Sequence, residues 1–134
     1  MERLSPEDEA FVKQRASGRC EYCQLPEAYS VLPFQIDHVI ARKHGGGSQP
    51  ENLAYACLYC NSYKGPNLAG VDPLNGEIVR LFNPRTENWS EHFEWRGAWL
   101  KGISKHGRAT IQVLNINSEE SVVVRENLMR EGKF

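Results

Sequence analysis

The four cysteines of the chain form the most specific chemical pattern in its sequence. They make two Cys-x-x-Cys pairs, Cys20 with Cys23 and Cys57 with Cys60, and 33 residues separate the pairs. A two-residue gap lets both sulfurs of a pair reach one ion, and Zn²⁺ prefers tetrahedral thiolate ligation. A redox motif or unrelated buried thiols would account for a single pair of cysteines. Two pairs, in a chain in which we expect no secretion signal, favour a metal site over disulfides. The spacing therefore predicts a structural Zn²⁺ held by all four cysteines.

A second group of polar residues lies between the two pairs and directly after the second one. It consists of Asp37 and His38, then Asn52, then Asn61 and Lys64. A neutral histidine can accept a proton near neutral pH. Asp and Asn oxygens are suitable ligands for Mg²⁺ or Mn²⁺. These residue types match what phosphodiester hydrolysis requires, namely an activated water and relief of charge on the phosphate and the leaving oxygen.

The order of these elements resembles the zinc-containing branch of the HNH endonuclease family. The resemblance covers about a third of the chain, Cys20–Lys64, and consists of Cys-x-x-Cys, Asp-His, Gly-Gly, Asn-Leu and Cys-x-x-Cys-Asn-x-x-Lys. It implies an α+β fold with a ββα-metal (His-Me finger) core over residues 18–66 that includes the Cys₄ zinc site. We expect one domain over residues 1–134, in which an α/β extension, residues 67–134, packs on that core.

The resemblance also implies a role for each site residue. His38 would be the general base, Asp37 and Asn61 would bind the catalytic Mg²⁺ or Mn²⁺, and Asn52 would hydrogen-bond the loop backbone and so orient the base. Asn61 replaces the last histidine of the family, which makes this an HNN variant. Because neighbouring strand residues face opposite sides, we expect Asp37 and His38 where the strand breaks into the loop.

Four cationic or titratable side chains are candidates for contacts with nucleic-acid phosphate: Arg42, Lys43, His44 and Lys64. The first three lie in a loop by composition. Lys64 lies one helical turn beyond Asn61. The alternative for each is an ordinary solvated charge or a loop residue without a role, and for Lys64 a helix-end cation that favours the dipole.

Local patterns predict the secondary structure that positions these residues. Ser5 and the acids after Pro6 predict a helix to about Ser17. Further strands are expected over 31–39, 53–56, 77–82, 93–95 and 98–103, and short helical structure over 61–64. Residues 110–116 suit a strand or a helix, and Ser118 caps a helix to about Arg130. The tryptophans are expected in the C-terminal core, with stacking on bases as the alternative.

Composition limits the remaining function classes. The chain has 134 residues, 40% of them hydrophobic, and a net charge of −1, which indicates a soluble globular protein without a strongly basic surface. We expect a cytoplasmic protein that does not engage membranes and is monomeric, with a dimer left open. The predicted function is metal-dependent cleavage of DNA, with one strand nicked per monomer. The alternatives are a non-catalytic zinc module that binds nucleic acid, and a structural protein with a decayed motif.

Overall fold

A computed structural model describes residues 4–134 of the chain. Its helices are α1 (Pro6–Arg15), α2 (Leu58–Lys64), α3 (Lys105–Val113) and α4 (Glu119–Arg130). Its strands pair as three antiparallel two-stranded sheets: β1 (Gln35–His38) with β2 (Leu53–Ala56), β3 (Ala69–Val71) with β4 (Ile78–Arg80), and β5 (Phe93–Arg96) with β6 (Trp99–Gly102). The fold is therefore of mixed α and β content, as expected.

The described residues divide into two compact units. The first contains the residues up to Leu68 together with Asn83–Thr86, and the second contains Ala69–Phe82 and Glu87–Phe134. Among residues 4–134, no helix is both long and apolar enough to cross a membrane.

Helix α1 begins where the sequence predicts. The Ser5 hydroxyl accepts a hydrogen bond from the Asp8 amide at 3.1 Å, which satisfies one of the unpaired donors at the helix start. The helix ends at Arg15, whose guanidinium donates to the Pro50 and Leu53 carbonyls at 3.0 and 2.7 Å. Val12 is fully buried. These contacts hold α1 against the segment that begins β2.

The strand pair β1–β2 and helix α2 follow one another in the first unit. β2 has the predicted bounds and is buried along its whole length. β1 is shorter than the predicted 31–39, because Val31 is 99% exposed and Pro33 cannot donate a ladder hydrogen bond. Helix α2 starts earlier than expected, since Cys57 is its N-cap, and it ends before Gly65 as predicted.

The second unit packs β5, β6, α3 and α4 around an apolar centre. Phe93, Leu100 and Leu114 are at most 1% exposed. Helix α3 was predicted only in part, as the ambiguous stretch 110–116, whereas the helix begins after the cap Ser104. Helix α4 has its predicted cap and end. Strand β3 was not predicted.

Two tryptophans of the second unit are half-buried and the third is exposed. Trp89 packs against Phe93 with ring centroids 5.1 Å apart, and Trp95 lies 5.9 Å from Trp89. Trp99 is 53% exposed, so the prediction that it belongs to the core is wrong. Its position on β6 explains the exposure, because alternate strand residues face opposite sides and Leu100 takes the buried side.

Candidate functional site: a four-cysteine cluster beside a strand-end histidine

The four cysteines come together in the first unit. Cys20 and Cys23 flank a tight turn after α1, and Cys57 and Cys60 lie at the start of α2. All four are buried, and their sulfurs lie within 4.8 Å of one another. In each pair the second backbone amide donates to the first sulfur at 3.4 Å. The sequence prediction that the two pairs converge is confirmed.

The cluster has the donor set and dimensions of a zinc site. The Cys23 and Cys57 sulfurs are 3.8 Å apart. Tetrahedral ligation with Zn–S bonds of about 2.3 Å places sulfurs about 3.8 Å apart. Hydrogen bonds from the neighbouring Cys20 and Cys23 thiols hold the pKa of Cys57 well below its usual value. The four residues could therefore bind one Zn²⁺, whose charge would stabilise further thiolates in this buried position.

Asn52 closes the loop that follows β1. Its Oδ1 accepts from the Ile40 amide at 2.9 Å, while its Nδ2 donates to the Ile40 and Gly47 carbonyls at 3.0 and 2.7 Å. The side-chain amide thus bonds both ends of the loop, and Asn52 is 7% exposed. At Gly46 an added Cβ would lie 1.7 Å from the Ile40 carbonyl oxygen, so only glycine allows this close approach.

His38 is the last residue of β1 and is partly exposed. Its Nε2 lies 3.0 Å from the Ser48 hydroxyl, and the Arg42 Nε lies 3.4 Å from the same ring nitrogen. Partial burial, and then the nearby Arg42 charge, lower the pKa of His38, while Asp37 opposes them. The imidazole is therefore neutral at neutral pH, which is the form that can accept a proton.

Asp37 faces the protein interior, on the other side of β1 from His38. It is 3% exposed. Its Oδ2 accepts from the Tyr22 hydroxyl at 2.6 Å, and its Oδ1 accepts from Lys64 at 3.1 Å. Burial raises the pKa of Asp37, and the Lys64 ammonium opposes that effect. The strand does not break between Asp37 and His38, since both pair with β2, so the structure does not bring the two side chains to one face.

The predicted phosphate-binding residues divide into two groups. Arg42, Lys43 and His44 form a short 3-10 turn that begins four residues after the end of β1, and all three are exposed. Lys64 is 2% exposed, and its ammonium bonds Asp37 and two backbone carbonyls. This placement leaves Lys64 no donor for a phosphate, contrary to the expectation from the sequence. Asn61 is half-buried on α2, next to Cys60.

Sequence reasoning missed two contributors to this region. Tyr22 is fully buried between the first two cysteines, and burial, with the Asp37 charge, raises its pKa well above the usual value, so it stays a hydrogen-bond donor. Ser48 contacts His38 from the far end of the glycine-rich loop. The signal for Tyr22 was its place inside the first Cys-x-x-Cys turn, whereas nothing distinguished Ser48 from an ordinary loop serine.

Comparison with known proteins agrees with this geometry. Residues 20–67 match the family described as HNH endonuclease. This segment is therefore similar to an HNH domain. A curated relative, the Septu protein PtuB of Bacillus thuringiensis, is 22% identical over 116 residues, which cover 82% of this chain and 41% of PtuB. The chain thus spans about two fifths of that relative's length. No solved structure matches the chain.

The matched segment contains all four cysteines and every predicted catalytic residue. Asp37, His38 and Asn52 lie inside the matched range, as do Asn61 and Lys64. The resemblance stated from the sequence is therefore confirmed over residues 20–67, and similarity to the HNH family suggests a nuclease.

Proposed function

We propose that this protein is a divalent-metal-dependent endonuclease that hydrolyses DNA phosphodiester bonds. The observation that carries the proposal is the placement of His38 within an HNH domain. Its imidazole is partly exposed at the end of β1, beside a loop that Asn52 closes with three hydrogen bonds. A base fixed at the edge of a rigid hairpin can meet a substrate without reorganising.

In this proposal His38 removes the proton from the attacking water. Its lowered pKa keeps the ring neutral, and the contact between Nε2 and the Ser48 hydroxyl orients the imidazole. Asn52 contributes indirectly, because the loop it closes carries Ser48. Strands β1 and β2 with helix α2 would then form the ββα-metal core of the HNH domain.

The catalytic cation would be held by the oxygen ligands of Asp37 and Asn61. Each oxygen of Asp37 already accepts one hydrogen bond, and an ionised carboxylate has about four acceptor positions, so capacity for a ligand bond remains. Hard carboxylate and amide oxygens are suitable for Mg²⁺ or Mn²⁺. When bound, such a cation polarises the phosphate and neutralises the leaving oxygen.

The exposed turn after β1 would contact the DNA backbone. Arg42, Lys43 and His44 form a turn that begins four residues after His38, and the Arg42 Nε lies 3.4 Å from the His38 Nε2, so a phosphate held there would lie close to the base. Phosphate contacts give affinity and salt dependence without sequence preference. One site per monomer would nick one strand per event, and we propose that the protein acts as a monomer in the cytoplasm.

One observation favours a second candidate function, a non-catalytic zinc module that binds nucleic acid. The Asp37 carboxylate is buried and paired with Lys64, so it is a weaker ligand than a free carboxylate. That function predicts binding to DNA without metal-dependent cleavage.

The test is cleavage of supercoiled plasmid by wild type and His38→Ala, with Mg²⁺, with Mn²⁺ and with EDTA. Loss of a general base costs about 100- to 10,000-fold in rate, so we expect nicking that needs metal and falls by that factor. His106→Ala is the matched control. It removes a histidine of the second unit that bonds the Arg80 carbonyl, and it should keep the wild-type rate. Equal inactivity of wild type and His38→Ala with both metals would refute the enzyme and leave the binding module.

A further inference from the structure

Lys64 is a buried lysine whose position in the fold is unusual. It is the last residue of α2, yet its side chain runs inward and is 2% exposed. Its Nζ lies 3.1 Å from the Asp37 Oδ1, 3.1 Å from the His38 carbonyl and 3.1 Å from the Val39 carbonyl.

The three contacts match the donor capacity of the ammonium group. A lysine ammonium has three N–H donors and no acceptor, so each donor has one acceptor here. The three acceptors belong to consecutive residues at the point where β1 ends. A buried charge is tolerated when it is paired and hydrogen-bonded, and both conditions hold. The ammonium therefore connects the end of α2 to the end of β1.

We propose that Lys64 is a positioning residue that fixes the backbone at Asp37–Val39 and thereby directs the His38 imidazole toward the reacting phosphate. The proposal rests on the function proposed above, and it assigns Lys64 no contact with DNA. Lys64 acts on the base through the main chain.

A second constraint holds the same stretch of backbone from the other side. The Val39 amide donates to the Asn52 carbonyl at 2.9 Å, and the Ile40 amide donates to the Asn52 Oδ1 at 2.9 Å. Lys64 binds the carbonyls of the stretch, while Asn52 binds its amides. With both constraints present, the backbone that carries His38 has little freedom to rotate. A displacement of about 1 Å at a catalytic group can cost about 100-fold in rate.

A lysine that contacts phosphate would behave differently from a positioning lysine. Removal of a phosphate contact weakens DNA binding and lowers the slope of log affinity against log salt by about 1. Arginine replaces lysine well at a phosphate, because its fork binds two oxygens. Arginine cannot replace lysine where three acceptors converge on one nitrogen, since the guanidinium donors are planar and divergent.

The experiment measures cleavage and binding of one fluorescent DNA duplex by Lys64→Met, Lys64→Arg and Lys43→Met. For both Lys64 variants we expect kcat to fall by about 10- to 100-fold, with KM within about twofold and an unchanged salt slope. Lys43→Met is the comparison, because Lys43 is exposed on the turn after β1. It should raise KM and lower the salt slope by about 1.

Hydrogen exchange supplies a readout that does not depend on cleavage. In Lys64→Met the Val39 and Ile40 amides should lose protection, while the amides within α1 keep theirs and the zinc content stays that of wild type. If the single variant does not fold, the neutral pair Lys64→Met with Asp37→Asn removes both buried charges and allows the same measurement.

The possible results separate this inference from the proposed function. If wild type does not cleave DNA but Lys64→Met loses protection at Val39 and Ile40, the endonuclease fails and the role of Lys64 in fixing the strand end stands. A Lys64→Arg variant with wild-type kcat, or a Lys64→Met variant with unchanged protection at Val39 and Ile40, would overturn the inference. A lowered slope of log affinity against log salt in Lys64→Met would show that Lys64 contacts DNA phosphate and would also overturn the inference.

Discussion

At the scale of single residues, the site depends on which way a side chain points as much as on its type. The Asp-His pair in the sequence was enough to single out Asp37 and His38. Their directions differ, because both pair with β2 and consecutive strand residues alternate between faces. Asp37 meets Tyr22 and Lys64 inside the protein, while His38 reaches Ser48 near the surface.

Asn52 gives a prediction about the loop beside His38. Asn52→Ala removes three hydrogen bonds and leaves the Ile40 and Gly47 backbone groups unsatisfied. We expect a loss of about 1–3 kcal/mol in the free energy of unfolding, and a lower kcat because Ser48 is no longer held against His38. Urea denaturation and plasmid nicking measure the two effects.

Asn52→Asp and Asn67→Ala complete that experiment. Asn52→Asp keeps the acceptor for the Ile40 amide but has no donor for the two carbonyls, so it should behave like Asn52→Ala. Asn67 is exposed, and Asn67→Ala should change the free energy of unfolding by less than about 0.5 kcal/mol. Wild-type stability in Asn52→Asp would show that the donated bonds do not hold the loop.

The sequence was sufficient to select candidate residues for the site but not to predict their hydrogen-bond partners. Cysteine spacing predicts a shared cluster, because ligand geometry requires it. The pairing of Lys64 with Asp37 joins residues 27 positions apart. No periodic pattern in the sequence predicts this contact, because the contact depends on how α2 packs against β1. The same limit explains why Lys64 was expected at a phosphate, since a lysine at a helix end is more often solvated than buried.

At the scale of elements, local sequence signals predicted the helices that begin at a clear capping residue. They missed the elements whose position depends on tertiary contacts. Helices α1 and α4 each begin at a serine cap, and their starts were predicted. Helix α3 also begins at a serine, Ser104, but Gly107 and the β-branched Thr110 weaken its helical pattern. A Cβ at Gly107 would lie 2.1 Å from the His92 carbonyl oxygen, so packing against His92 requires glycine there.

Helix α2 connects the four-cysteine cluster to the candidate metal ligand Asn61 and to Lys64. Cys57 is its N-cap, and the helix contains Cys60, Asn61 and Lys64 within two turns. A cation that fixes the two cysteines therefore also fixes the first turn of the helix. The orientation of Asn61 and the contact between Lys64 and Asp37 both depend on the position of that turn.

Loss of one cysteine ligand should affect stability and activity together. Cys57→Ser keeps a side-chain oxygen that can cap α2, but it removes a soft thiolate ligand. We expect zinc content to fall from one ion per chain and the free energy of unfolding to fall by several kcal/mol, since a complete site contributes on the order of 10 kcal/mol. Nicking should fall as well.

Metal analysis, thermal denaturation and the plasmid assay check this prediction against Ser62→Ala. Ser62 is exposed on the same helix and should leave all three quantities near wild type. Full nicking activity by zinc-free Cys57→Ser would contradict the coupling between the cluster and α2. Absence of zinc from freshly purified wild type would refute the metal site itself.

At the scale of the whole molecule, the aromatic residues provide a separate probe for each compact unit. All five tyrosines precede Leu68 and belong to the first unit, whereas all three tryptophans follow Glu87 and belong to the second. Tyrosine and tryptophan fluorescence can therefore follow the two units in one denaturation experiment. Coincident transitions would show that the units unfold together.

The second unit contains an ion pair between a buried aspartate and a partly exposed arginine, and this pair should make its stability depend on pH. Asp72 is 0% exposed, and the Arg108 Nε and Nη2 donate to its two oxygens at 2.9 and 2.8 Å. These bonds, assisted by the Leu74 amide, lower the pKa of Asp72. The folded pKa therefore lies below the unfolded value of about 3.9. The stabilisation is complete above the unfolded pKa and is lost as the pH falls through the folded pKa.

Asp72→Asn tests that dependence, because it keeps the shape of the side chain and removes its charge. At neutral pH the variant should unfold at lower urea concentration than wild type, as reported by tryptophan fluorescence. The difference should shrink as the pH falls below about 4, because Asp72 of the unfolded chain binds a proton first and Asp72 of the folded protein follows only at the lower, folded pKa. Glu126→Gln removes an exposed acid of α4 and should stay within about 0.5 kcal/mol of wild type at every pH. A deficit in Asp72→Asn that stayed constant down to low pH would show that the side chain contributes through packing and not through its charge.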